Sequence, residues 1–425
     1  MSDLLYPLIL TIFGLGYLGI IFEHNIKINK TAIALFIAVL CWAVYFGATT
    51  APVEEDLQVL GGHLSEVAQI IFFLLGAMAI VELIDSHKGF KIITNLIQTS
   101  SKRKMIWVIA IITFFLSSVL DNLTTTILMI SLLRKMVPVH SERFLLGGLV
   151  VVAANAGGAW TPIGDVTTTM LWINGQLSSL AVMKALFLPS IISLLVPLIY
   201  FTFTLKGQYT QNKPEDLDGE PAPGSRLVFF VGMGSLIFVP IFKTLTGLPP
   251  YMGVLLGVAV LWIITDILHR RYEDRLHLRI PSILNKIDIA GVLFFLGILL
   301  TINALETAGI LSDVANWLDR EIRNQVFIAT IIGAISAIID NVPLVAGTMG
   351  MYSLSEVPMD APLWHMIAYA AGTGGSMLII GSAAGVALMS LEKVDFISYM
   401  KKMTLPVLIG YLAGIGVIVL QNYFL

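Results

Sequence analysis

The sequence predicts an all-α polytopic membrane protein made of two inverted repeats. Each repeat holds five spans and one re-entrant hairpin, and two transmembrane helices are unwound. Three observations lead there. Hydrophobic residues make up 57% of the 425-residue chain and charged residues 12%, where a soluble domain carries about 25% charged residues. The segment Ser117-Ser118-Val119-Leu120-Asp121-Asn122 returns as Ser336-Ala337-Ile338-Ile339-Asp340-Asn341. The segment Ala153-Ala154-Asn155-Ala156-Gly157-Gly158, with Gly164 beyond it, returns as Ala370-Ala371-Gly372-Thr373-Gly374-Gly375, with Gly381 beyond it. The residue offsets are 219 and 217, so one internal duplication explains both pairs.

A spanning helix needs about 20 apolar residues. Full spans are expected near 4–22, 31–49, 67–85, 143–173, 185–205, 226–245, 251–269, 287–309, 363–390 and 404–424. The first lacks a basic n-region and an Ala-x-Ala site, so it reads as a retained helix rather than a cleaved signal. Two further apolar regions, 105–136 and 325–352, are each cut by Asp-Asn and are too long for one ordinary span. They read as hairpins of two half-depth helices meeting at a polar tip. Such backbone is tolerated at membrane depth where it is buried in protein or lines a wet cavity.

Five spans per copy, an odd number, force the second copy upside down. The first repeat is expected over 1–205, a linker over 206–225 and the second repeat over 226–425. The linker holds Pro214, Pro221, Pro223 and several acids, which suits a solvated connector. With both termini on the outer, periplasmic side, all but four of the 25 Lys and Arg fall on the cytoplasmic side. The four are Lys184, Lys243, Arg320 and Arg323. This bias fits the positive-inside rule. The first hairpin then opens from the cytoplasm and the second from outside. Cys41 stands alone, so no intrachain disulfide forms.

Carboxylates inside apolar runs are costly and mark function. Duplicated breaks at matching positions point to a transporter binding site. At the tips, Asp121 and Asn122 with Thr124 and Thr125, and Asp340 with Asn341, present oxygens suited to a hard cation. Ser117 and Ser336 lie four residues before their aspartates and offer hydroxyls from the same helical face. Asp or Asn also caps the second half-helix; capping and ligation are expected together. In the first break, two glycines and Pro162 unwind the helix, and Asp165 opens the next half with Thr167 and Thr168 in its first turn. The second break offers the hydroxyl of Ser376 but no carboxylate at the position of Asp165. Glu82, Asp85 and Glu306 lie near helix ends, with ion admission, gating or hydrogen bonding as their readings. Asp266 and Asp288 are expected to pair with basic loops. His63, His140, His269, His277 and His365 fall near loops, where a surface role is expected. No Walker A, HExxH or GxSxG pattern occurs, so ATP-driven transport and the common hydrolase readings lack support and the chain is not read as an enzyme.

The Asp-Asn hairpins and the segment Asn155-Ala156-Gly157-Gly158-Ala159-Trp160-Thr161-Pro162-Ile163-Gly164-Asp165 resemble the NhaD-type sodium/proton antiporters of the ion transporter superfamily. The resemblance covers essentially the whole chain. It implies two opposed hairpins and two unwound helices around the ion sites, separate scaffold and transport domains, a homodimer and an inner-membrane location. By that likeness Asp121, Asn122, Asn155, Asp165, Thr167, Thr168, Ser336, Asp340 and Asn341 line the cation site. No cofactor is implied beyond the transported Na⁺ or Li⁺ and H⁺, and no partner beyond the bilayer and a second copy, so neither nucleic acid nor nucleotide. The superfamily's carboxylate carriers use Ser-Asn-Thr at both tips. Here Asp-Asn places negative charge where those carriers bind an anion.

Asp121, Asp340 and Asp165 are expected to share a cavity that holds either protons or Na⁺. Three neighbouring, partly desolvated carboxylates cannot all ionise cheaply. Cation and protons then compete for one site, and alternating access moves the hairpin domain against a scaffold. The alternative is a Na⁺-coupled anion or dicarboxylate symporter, in which half-helix N-termini receive the anion.

Overall fold

The apolar runs become helices, and short polar side chains start them. The computed structural model describes residues 5–94, 97, 99–137, 139–209, 221–322 and 324–424. The first half contains α1 (Leu5–Ile21), α2 (Glu23–Ile26), α3 (Lys30–Ala48), α4 (Val53–Ser86), α5 (Lys91–Thr94) and α6 (Lys102–Ser117). It continues with α7 (Asn122–Met136), α8 (His140–Ala159), α9 (Val166–Ile173) and α10 (Ser179–Thr204). The second half contains α11 (Ser225–Thr246), α12 (Pro250–His269), α13 (Ile280–Leu284), α14 (Ile289–Thr307), α15 (Ile310–Glu321) and α16 (Gln325–Ile335). It ends with α17 (Asn341–Met351), α18 (Pro362–Gly374), α19 (Ala383–Glu392), α20 (Phe396–Lys402) and α21 (Thr404–Phe424).

Seven of these, among the described residues, are long and apolar enough to cross a membrane: α3, α4, α10, α11, α12, α14 and α21. The chain is a polytopic membrane protein. The other expected spans are shorter or divided. The region 143–173 stops at Ala159 and resumes at Val166, and the region 363–390 stops at Gly374 and resumes at Ala383. The regions 105–136 and 325–352 are each two helices, broken after Ser117 and after Ile335.

One expected span needs correction, and one helix is new. The span placed at 67–85 begins at Val53 and runs 34 residues, about 51 Å at 1.5 Å per residue, well beyond a hydrocarbon core. Glu54, Glu55 and Asp56 occupy its first turn, where the helix dipole favours anions. The amphipathic α15 was not anticipated; it buries Ile310, Leu311 and Ala315 and exposes Trp317. The start of the expected linker is held locally. Residues 210–220 lie outside the described ones, but Gln208 pairs with Ser101, and Tyr209 donates its N–H to the Ser100 carbonyl at 2.8 Å.

Contacts divide the helices into two groups. One joins α1, α3, α4, α11, α12 and α14; the other joins α6 to α10 with α16, α18, α19 and α21. Helix α17 touches both, meeting α14 on one side and α9 and α18 on the other.

Candidate cation site

The chain before each Asp-Asn is stapled to a helix break by the same pair of contacts. Ser117 Oγ donates to the Ala154 carbonyl at 2.7 Å, and Ser336 Oγ donates to the Ala371 carbonyl at 3.0 Å. Backbones approach closely beside these bonds. A Cβ on Gly157 would collide with the Phe114 carbonyl, and one on Gly374 with the Gly333 carbonyl. Glycine is required at both, because no side chain fits between the helices.

Aspartates start the half-helices. Asp121 caps α7 through Thr124 N at 2.8 Å and also receives the Thr124 hydroxyl. Asp340 caps α17 through Val342 N at 3.1 Å. Asp165 caps α9 through Thr167 N and Thr167 Oγ1, both at 3.0 Å. In the second half Ser382 does the same for α19, accepting from Gly385 N at 3.2 Å.

The ends converge on a buried network. Asn122 Nδ2 donates to Asn155 Oδ1 and to Asp165 Oδ2, each at 3.0 Å. Asn155 Nδ2 donates to Ser376 Oγ at 2.8 Å and to Ser382 Oγ at 2.9 Å. Asp165 is 1% exposed and Asn155 fully buried. The network gathers both halves and holds one carboxylate and no cationic side chain. Thr125 Oγ1 is buried without a partner among the described residues, so it retains its full bonding capacity.

Asp121 and Asp340 sit differently. Both line a cavity of about 160 Å³ that also meets Asn122, Lys30 and Asp288. Met78, Val81, Leu123, Thr124 and Asp288 line this cavity and a larger one of about 510 Å³ as well. The larger cavity reaches Glu82, Asp85, Lys88, Lys135 and Lys286. The cavity at the tips and the lysine-rich cavity therefore share a wall. A third cavity, of about 250 Å³ around Glu66 and Glu306, shares none of its lining with the cavity at the tips.

The structure thus brings together Asn122, Asn155, Asp165, Thr167 and Ser376, with Asp121 and Asp340 beside them. It does not bring in the hydroxyls of Ser336 and Thr168, which donate to backbone; Thr168 Oγ1 reaches the Ala159 carbonyl at 3.4 Å. Asn341 is buried at the second tip. Sequence reasoning missed two residues. Ser382 stands in the second copy where Asp165 stands in the first, a signal that the repeat offset carries. Lys30 lines the tip cavity with its Nζ 4.5 Å from the Phe294 ring, and nothing in its neighbours announces this. Elsewhere, Asp266 pairs with Arg279 at 2.6 Å, whereas Asp288 caps α14 through Gly291 N. His269 is not at the surface. It is 1% exposed, with Nε2 3.1 Å from Nε2 of the equally buried His87. His365 is buried too.

The family described as citrate transporter, CitMHS, matches residues 17–366. Sodium/proton antiporter 1 of Arabidopsis thaliana is 56% identical over 95% of this chain and 70% of its own length. Sodium/proton antiporter 2 of the same plant is 54% identical over 95% of this chain and 97% of its own. The Na(+)/H(+) antiporter NhaD of Vibrio cholerae is 29% identical over 97% and 91%. The chain belongs to the CitMHS transporter family and, with these relatives, to the NhaD-type sodium/proton antiporters.

Proposed function

We propose that this protein is a secondary active transporter that exchanges Na⁺, and Li⁺ with it, for H⁺ by alternating access. The observation that carries the reading is Asp165, buried among neutral amides and hydroxyls with Asn122 on one oxygen and Thr167 on the other. A carboxylate so placed is costly as a bare ion. It is satisfied by a proton or by a cation, and the two compete. Asn155 Oδ1, Ser376 Oγ and Ser382 Oγ stand close by as neutral oxygen ligands, and Asp121 and Asp340 guard the path from the lysine-rich cavity.

The matched staples and matched glycine contacts support the inverted-repeat reading, 1–205 against 226–425, with two unwound helices. In that reading the hairpins and broken helices form the moving group and α1, α3, α4, α11, α12 and α14 the scaffold. Both termini lie on the periplasmic side of the inner membrane, the lysine-rich cavity faces the cytoplasm, and two copies form the working unit. No cofactor takes part. An anion symporter suits the network less well, because no cationic side chain belongs to it.

Everted vesicles carrying an inside-acid pH gradient test the proposal. Na⁺ or Li⁺, but not K⁺ or a dicarboxylate, collapses the gradient, more steeply toward pH 9.5, and Asp121→Asn and Asp340→Asn abolish the response. Unimpaired exchange in both variants would sink the shared-carboxylate mechanism.

A further inference from the structure

At the end of α4 and α14 away from the lysine-rich cavity, residues of α4, α14, α17, α9 and the turns after α9 and α17 line a cavity of about 250 Å³. Glu66 of α4 and Glu306 of α14 line it. Acidic side chains alone make no site, because water solvates them. Two amides change the reading. Gln176, in the turn after α9, lines the same cavity and is 6% exposed, yet its Oε1 is buried and accepts no hydrogen bond from a described residue. Asn303 lies one turn before Glu306 and lines the cavity too; its Nδ2 is buried without a partner among the described residues. A buried amide oxygen without a donor is costly, and a cation satisfies it. A 180° turn of the Asn303 amide offers its oxygen in the same way.

We propose that this cavity is a second cation site, on the outer side, which holds Na⁺ between the carboxylates of Glu306 and Glu66 and the amide oxygens of Gln176 and Asn303. Two anionic and two neutral oxygens suit a hard cation. His63 is the neighbouring basic group; its Nδ1 lies 3.9 Å from Glu66 and its Nε2 3.1 Å from Thr307 Oγ1. The ligands come from both helix groups, Gln176 from the one that carries the hairpins and the other three from α4 and α14. The site is therefore assembled across the seam, and a bound ion holds that seam together. The identity of the ion rests on the Na⁺ cargo proposed above.

The test is ²²Na⁺ binding to purified protein in nanodiscs, read without transport. Asp165→Ser disables the inner network. It is expected to leave a saturable component, which Glu306→Gln or Gln176→Leu on the same background weakens roughly tenfold, the factor worth about 1.4 kcal/mol. Two variants on different elements guard against one that misfolds, and monodisperse elution checks each. Loss of all binding in Asp165→Ser alone, or unchanged affinity in both double variants, would overturn the outer site. A wild type that binds ²²Na⁺ through Glu306 but does not collapse a pH gradient would refute the exchange reading and leave this site standing.

Discussion

Asp165→Ser separates a cap from a charge. The second half of the chain supplies the control, because Ser382 occupies the matching place and starts α19 with its hydroxyl. Asp and Ser are near-equal caps, so α9 should still form. The variant loses the acceptor for Asn122 Nδ2, and a buried donor left unsatisfied costs about 1–3 kcal/mol. The larger change is electrostatic. At an effective dielectric of 20, opposite unit charges 4 Å apart attract by about 4 kcal/mol, close to a thousandfold in affinity. The expected protein is folded and slightly less heat-stable, with its Na⁺-dependent exchange abolished. Dye-based exchange in vesicles reads the activity, and thermal unfolding in detergent reads the fold. Exchange with KM for Na⁺ within about threefold of wild type would refute the reasoning, since Asp165 would then be a cap and nothing more.

Other changes test the surrounding architecture. Gly157→Ala and Gly374→Ala push a Cβ into the facing hairpin backbone and should each cost about 1–3 kcal/mol or more in thermal unfolding; Gly416→Ala, with open space around it, should cost far less. Glu392 is 3% exposed and pairs with Arg143 at 2.9 Å and Arg134 at 3.4 Å. Glu392→Gln leaves buried Arg143 without its counter-charge and should lower stability by about 3–5 kcal/mol, with the double Met variant at 143 and 392 recovering much of it. Lys243 of α11 reaches across to the Trp172 carbonyl at 2.8 Å. Lys243→Met should free the seam, and a membrane-impermeant maleimide should label Ala346→Cys, buried beside the cavity around Glu66 and Glu306, faster in that background, Cys41 being buried. His87, one residue beyond α4, is pushed down to about 4 by burial, with His269 beside it adding to the effect. Its neutral form is the folded form, so stability present above pH 6.5 is lost as pH falls from 6.5 toward 4. His87→Asn should flatten that part of the melting-temperature profile.

The breaks were legible because they oppose their surroundings. Asp-Asn in an apolar run and paired glycines in a helix have few structural uses, and finding each twice left little freedom. Caps at Asp121, Asp165 and Asp340 followed from the same residues. What stayed hidden depends on contacts between distant segments. Asn155 finds Ser382 across 227 positions, and no local pattern announces the partner. Lys30 looked like any cytoplasmic positive charge, yet the fold turns it toward the tip cavity. The extra turns of α4 were masked by Glu54, Glu55 and Asp56, which read as loop until the helix start gives them a reason to be there. His87 follows α4 and His269 ends α12, and their burial arises only when those two helix ends meet.

The isolation of Asp165 bears on leak. Its partners are the Asn122 amide, the Thr167 N–H and the Thr167 hydroxyl, so no fixed positive charge travels with it. If the hairpin group crossed empty and unprotonated, it would carry a bare anion past the apolar seam, against a penalty of many kcal/mol. A membrane potential of 100 mV adds about 2.3 kcal/mol per charge moved, for or against the crossing by its direction. In the proposed alternating-access cycle, an unloaded carrier is thus held on the side where it released its ion until another ion or a proton arrives. A lysine within the network would have relieved that anion and let the empty form slip across, so the absence of one among the described residues favours tight coupling over speed.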